Sequence, residues 1–291
     1  MPAPPLGADL GTLSRKPSAI LFRMSDSILS LAPPAADVRI AYGSDPNQFF
    51  DLRLPIGDQA KNEKKSKSLY PLVINIHGGY WRSRYNLDHA SHLCAALANK
   101  GVATANLEYR RVGNEGGNWP NTFADIRSAY QFLRQNADRH SLDVGRFLIM
   151  GHSAGGQLAL CLAGHELSVT RVISLAGVVD LQRAYQLHLS NDAVVEFLRG
   201  TPDQVPDHYR EADPMQLSIP QARQWLIHGS ADDVVPPEFS RDYVTAKQKH
   251  TGKEKEDAHL LEIQAADHFD LIDPRTTAWK QVERKVLELL G

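Results

Sequence analysis

Six short apolar runs separated by helical patterns constrain this chain more than any other feature: PLVINIHGG (71–79), VATANLEY (102–109), RFLIMGHS (146–153), RVISLAG (171–177), QWLIHGS (224–230) and LLEIQAADH (260–268). Each is dense enough in large apolar residues to be buried on both faces, as strands of a parallel sheet are. Helical periodicity fills the gaps: residues 88–99 ending before Gly101, a segment after Pro120 with Phe123, Ile126, Tyr130 and Leu133 on one face, residues 154–163 ending before Gly164, and residues 274–290. Two earlier runs, DVRIAY (37–42) and FFDLRLP (49–55), alternate at period two and read as an antiparallel starting pair. Alternation of this kind predicts a doubly wound, mostly parallel α/β sheet with right-handed crossovers.

The rhythm breaks once. Between Gly177 and Gln224 lie about 45 residues, more than one crossover helix needs, and a structureless loop of that length is improbable in a compact domain. A short helical cap over one end of the sheet, about residues 180–220, is the expectation. The chain of 291 residues then reads as one domain, 36–291, carrying that insertion. Residues 1–35 hold several prolines with Arg15, Lys16 and Arg23 but no signal-peptide run, and read as a poorly ordered or loosely docked arm; Met24 is an alternative start. Lys61, Lys64, Lys65 and Lys67 cluster in a segment without aromatics that reads as a solvated loop, a basic docking patch being the other reading.

Lys and Arg total 32 against 34 Asp and Glu, a net charge of −2, which leaves no global field to recruit nucleic acid or an anionic membrane. No window approaches the ~20 apolar residues of a membrane span. The expected partner is a small-molecule substrate, and a homodimer is compatible with this composition. Cys94 and Cys161 both fall inside apolar helical patterns, where a free thiol behaves as a small hydrophobe, and this favours a reducing, cytoplasmic setting.

Chemistry concentrates at the ends of the apolar runs. Gly151-His152-Ser153-Ala154-Gly155 fits the Gly-x-Ser-x-Gly pattern at a strand-to-helix junction, where a serine is exposed as a nucleophile. A serine hydroxyl needs a base to take its proton and an acid to orient that base. His268 and Asp232 follow later runs in the chain order Ser, Asp, His; Asp233, Asp267 and Asp270 stay open as alternatives for the acid. In HGGYW (77–81), the N–H groups of Gly78 and Gly79, with that of Ala154, are candidate donors for an oxyanion. Tight turns without a catalytic role explain the glycines of either motif taken alone. His77 and His228 each close a strand before glycine and read as partners of neighbouring loops. No HExxH or CxxC pattern occurs, so neither a metal site nor a cofactor is expected.

The ordered set HGGYW, EYRRVGN, GHSAGG, HGSADDVVP and DHFD resembles α/β-hydrolases of the carboxylesterase and kynurenine formamidase (arylformamidase) group, over roughly residue 37 to the C-terminus. The resemblance implies an α/β-hydrolase fold and a triad of Ser153, Asp232 and His268. It also implies a cap in FLRGTPDQVPDHYREADPMQL, where Asp213 departs from the serine common before that proline. The activity implied is that of a serine hydrolase cleaving a small carboxylic ester or an aryl formamide through an acyl-enzyme. The alternatives are kynurenine formamidase proper and a non-catalytic ligand-binding protein on the same scaffold. His152 is expected to line the pocket. Tyr80 and Trp81 are candidate substrate-binding aromatics or else core residues beneath the loop, with Trp119 and Tyr185 as further candidates. Arg82, Arg84, Arg110 and Arg111 lie near strand ends, where a substrate carboxylate would need a partner.

Overall fold

The computed structural model describes residues 24–55, 69–249 and 256–291; residues 1–23 of the N-terminal arm and the lysine cluster lie outside the described residues. One eight-stranded sheet is formed by β1 (Val38–Ala41), β2 (Phe49–Arg53), β3 (Tyr70–Ile76), β4 (Ala103–Leu107), β5 (Leu142–His152), β6 (Arg171–Leu175), β7 (Arg223–Gly229) and β8 (Ala258–Ile263). Its spatial order is β1-β2-β4-β3-β5-β6-β7-β8. β2 pairs antiparallel with both β1 and β4, and every other pairing is parallel. This is the α/β-hydrolase fold, with the antiparallel start and parallel remainder that the run pattern predicts.

Period-two alternation sends successive residues of the central strands to opposite layers. Leu72, Ile74, Ile76 and Ile149 join one core with α2 (Asn121–Gln135), α3 (Ala154–His165) and α7 (Glu238–Gln248), whereas Val73, Leu148 and Met150 join another with α1 (Ser91–Ala98) and α8 (Thr277–Leu290). α2 buries the single face read from its spacing. α3 buries every residue from Ala154 to Ala163. Burying one leucine is worth about 1.5–3 kcal/mol, so a helix apolar on all sides is stable only where both of its sides are covered.

Two helix starts differ from the spacing. The segment expected at 88–99 divides into a 3₁₀ turn, Leu87–Ala90, capped by the Asn86 side chain, followed by α1. The last helix begins at Thr277 because the Thr276 side chain accepts the Trp279 N–H and so sets the first turn.

Between β6 and β7 the chain forms α4 (Leu181–Gln186), α5 (Ala193–Leu198) and α6 (Pro206–Ala212). They sit on the loops after β3 and β4 and on α3. Phe197 stacks on Trp81 with centroids 4.7 Å apart, its carbonyl accepts the Trp119 N–H, and Gln157 of α3 donates to the Ala212 carbonyl at 2.7 Å. At the carboxyl ends, Ile76 lies beside both Leu107 and Gly151, and His152 beside Leu175. The chain leaves β3 for β4 on one side and has β5 on the other, which opens the crevice where open α/β sheets place their ligands.

Candidate active site

Ser153 occupies the single residue between β5 and α3, with φ 56° and ψ −121°. A non-glycine residue held at positive φ costs on the order of 1–3 kcal/mol and persists only where its surroundings over-determine it. They do so here. The Ser153 N–H donates to Leu175 O at 2.8 Å, and its carbonyl accepts from Gly156 N at 2.9 Å. A Cβ on Gly155 would lie 2.0 Å from Ile76 O, and one on Gly151 would lie 2.0 Å from Gly155 O, so backbone approach alone excludes a side chain at both motif glycines. The strain aims Ser153 away from the strand at the amino end of α3, whose dipole favours negative charge there.

His268 follows β8, and its Nδ1 is 2.7 Å from Asp232 Oδ2, with both side chains buried. The alternatives for the acid have other places. Asp267 Oδ1 accepts the Phe269 and Asp270 N–H groups, Asp270 Oδ2 accepts the Asp267 N–H, and Asp233 is exposed. Burial works to raise the Asp232 carboxyl, but hydrogen bonds from His228 and His268, the charge of His268 and the Val235 N–H outweigh it and hold Asp232 below the usual carboxylate range. Ser153 Oγ makes no hydrogen bond to His268 in this structure. Catalytic bonds are often long before substrate binds.

The turn after β3 is built by a buried polar set. His77 Nδ1 donates to the Gly78 carbonyl at 2.8 Å, its Nε2 is 3.1 Å from Glu108 Oε1, and its own carbonyl accepts the Tyr109 hydroxyl at 2.7 Å. Carbonyl and N–H point oppositely across a trans peptide, so anchoring Gly78 O to His77 turns the Gly79 N–H to the other side. Gly79 has φ +115°, and a Cβ on Gly78 would sit 3.0 Å from Ser153 Cβ. Neither Gly79 nor Ala154 donates its N–H to a backbone carbonyl among the described residues. Glu108 opens the EYRRVGN motif, whereas Gln157, which accepts from Trp81 Nε1, takes part in this architecture without any motif that marked it in the sequence. Its signal was only a polar residue inside an apolar helix.

The expected substrate-binding residues divide. Tyr80 is half-buried, and its hydroxyl donates to Val234 O at 2.9 Å. Trp81 is 1% exposed, bonded through Nε1 to Gln157 and stacked on Phe197, so the structure gives it the core reading. His152 is 3% exposed, and its ring packs on His268 at 4.5 Å while Nε2 donates to the His268 carbonyl, so it lies buried against that ring. Trp119 is buried, and Tyr185 is half-buried. Of the four arginines, Arg82 is bound to Glu196, Arg110 to Asp125 and Arg111 to Glu108, while Arg84 lies over the Tyr85 ring. Three of the four charges are therefore already matched within the chain. Among the described residues no group of three His, Cys, Asp or Glu side chains is arranged to hold a metal ion, and no helix is long and apolar enough to cross a membrane.

Known proteins resemble this chain over most of its length. The chain is 27% identical to the esterase LipC of Mycobacterium tuberculosis over 82% of this chain and 61% of that protein, so it spans about three-fifths of that relative's length. It is 26% identical to the kynurenine formamidase of Salmo salar, over 87% of this chain and 82% of that one. A truncated carbohydrate esterase from gut microbiota superposes with a TM-score of 0.70 at 21% identity, covering 89% of this chain and 97% of that one, which is a likeness of fold. Residues 58–246, most of the chain and including Ser153, the HGGYW turn and Asp232, match the BD-FAE family, and the protein belongs to that family of the carboxylesterase and formamidase group of α/β-hydrolases.

Proposed function

We propose that the protein is a serine hydrolase that cleaves small carboxylic esters through an acyl-enzyme. The observation that carries this reading is the 2.7 Å bond between His268 Nδ1 and Asp232 beside a serine held at strained φ. His268 Nε2 takes the Ser153 proton as Oγ forms a bond to the carbonyl carbon. Charge moves to the carbonyl oxygen, where the N–H groups of Gly79 and Ala154 are the donors. The tetrahedral species collapses, the carbon–oxygen bond to the alcohol breaks, and the alcohol leaves with the proton from His268. Water then attacks the acyl group, gives its proton to His268, and releases the acid as Ser153 regains its own. Ser153→Ala should abolish hydrolysis of p-nitrophenyl acetate and labelling by a fluorophosphonate probe. A wild-type protein that resists the probe would instead be a ligand-binding member of the fold.

A formamidase reading has its own support: the formamidase relative matches over more of its length than LipC does, and HGGYW resembles the corresponding motif of that group. A formyl group is the smallest acyl, and Ser153 and His268 are only 2% and 3% exposed, so the site as folded suits a small acyl. Comparison of kcat/KM for N-formylkynurenine with that for short-chain aryl acetates separates the two readings.

A further inference from the structure

His228 closes β7, is fully buried and lies outside the Ser153–His268–Asp232 set. Its Nε2 is 2.9 Å from Val235 O and 3.2 Å from Asp232 Oδ2, and its Nδ1 is 2.7 Å from Ser240 Oγ on α7. A carbonyl and an ionised carboxylate offer no proton, so Nε2 carries the hydrogen and shares it between them. With the hydrogen on Nε2, Nδ1 is the atom that meets the Ser240 hydroxyl. Val235 O and Ser240 Oγ alone would satisfy a buried histidine. The approach to Asp232 is additional to that need.

We propose that His228 is a positioning residue for the reaction, a second donor on the same carboxylate oxygen that holds His268. The proposal rests on the serine-hydrolase reading above. Asp232 lies on a loop and has a soft terminal torsion. Its Oδ1 is tied by the Val234 and Val235 N–H groups at 2.9 Å each, while Oδ2 is shared by the two imidazoles. His228 is itself held between a central strand and α7, so it references Oδ2 to the rigid sheet and keeps it on the His268 Nδ1 line. A second donor also draws charge from Oδ2. The Nδ1 proton then stays on His268 while Nε2 receives the serine proton, as the triad requires.

The test uses the full chain with His228→Phe, which keeps ring volume and removes the donor, and His228→Gln, whose amide nitrogen reaches the place of Nε2. Three readouts are taken: kcat and KM on p-nitrophenyl acetate, the low-field proton resonance of His268 Nδ1–H, and the thermal melt. His228→Phe should lower kcat about 10- to 100-fold with little change in KM and shift the resonance, and His228→Gln should restore most of kcat. A folded His228→Phe protein with wild-type kcat and an unmoved resonance overturns the proposal. If that variant fails to fold, Ser240→Ala decides: a smaller kcat loss with a shifted resonance supports the proposal, and no change in either overturns it. A wild type inert toward esters whose resonance still moves in the variants would sink the hydrolase reading and leave the positioning role standing.

Discussion

The Tyr80 hydroxyl donates a 2.9 Å hydrogen bond to the carbonyl oxygen of Val234, joining the turn after β3 to the loop after β7 across 154 residues of chain. The Val234 N–H is in turn bound by Asp232 Oδ1 at 2.9 Å. One phenol therefore couples the HGGYW turn to the loop that holds Asp232. Burial, with the nearby Asp232 carboxylate, pushes the phenol's pKa up, so it remains a donor throughout the neutral range.

Tyr80→Phe deletes only that bond. The fold should survive, because the ring keeps its packing, and kcat should fall roughly 3- to 30-fold as the two loops lose their common reference. Steady-state kinetics with a short-chain ester checks this. A change confined to KM would instead make Tyr80 a substrate contact.

Asp232→Asn should leave the protein folded and reduce kcat by up to ~10⁴, because an amide at this place favours the wrong tautomer of His268. Asp233→Asn, at an exposed neighbour, should change the rate little. The reverse result would move the acid by one position.

Arg82 clamps the helices between β6 and β7 to the turn after β3, with Nε 2.8 Å from Glu196 Oε2, Nη1 3.0 Å from Ser190 Oγ and Nη2 3.2 Å from Asn191 O. The segment it grips holds His188, Ser190, Asn191 and Asp192 at positive φ. Arg82→Gln should cost no more than about 1 kcal/mol of global stability, because Glu196 is largely solvated. It should nevertheless speed limited proteolysis within 188–192 and raise KM. Unchanged cleavage there would show that the cap holds its shape without the clamp.

Asp213 titrates out of its usual range because burial, and then the Asp180 carboxylate, push it up to about 7 from 3.8. The folded protein thus binds this proton more tightly than the unfolded chain does. The associated stability is full below the unfolded value and is lost as pH rises through about 7. Asp213→Asn keeps an oxygen for the Met215 N–H and removes the charge. Its melting point should exceed the wild type's at mildly alkaline pH by an amount corresponding to on the order of 2–4 kcal/mol, with the difference vanishing toward acid pH. Parallel melting curves at all pH values would show that Asp213 does not ionise in this range.

Particular residues show where sequence stopped. Ser153 was legible because its flanking glycines are demanded by contacts that reach only to the next turn or the adjacent strand end, and such demands leave a local pattern. His268 and the HGGYW turn were marked by their places at the ends of apolar runs. Trp81 was not legible: an aromatic beside a catalytic turn has the same spelling whether it meets a ligand or Phe197. Asp232 was separable from Asp233, Asp267 and Asp270 only once each had found its own hydrogen-bond partners or its place at the surface.

Taken by itself, the amino-acid sequence determined the order of strands and helices, the strand-to-helix junction at Ser153 and the succession of Ser, Asp and His, because periodicity and turn chemistry act over a few residues at a time. The tertiary structure alone decided which carboxylate meets His268, that His228 lies 3.2 Å from it, that His152 packs on His268, and that Arg82, Arg110 and Arg111 are matched within the chain. Those outcomes depend on distances of a few ångströms between side chains that lie anywhere from one helical turn to more than a hundred positions apart in sequence, and only the packing of the sheet, its loops and the helices between β6 and β7 sets such distances.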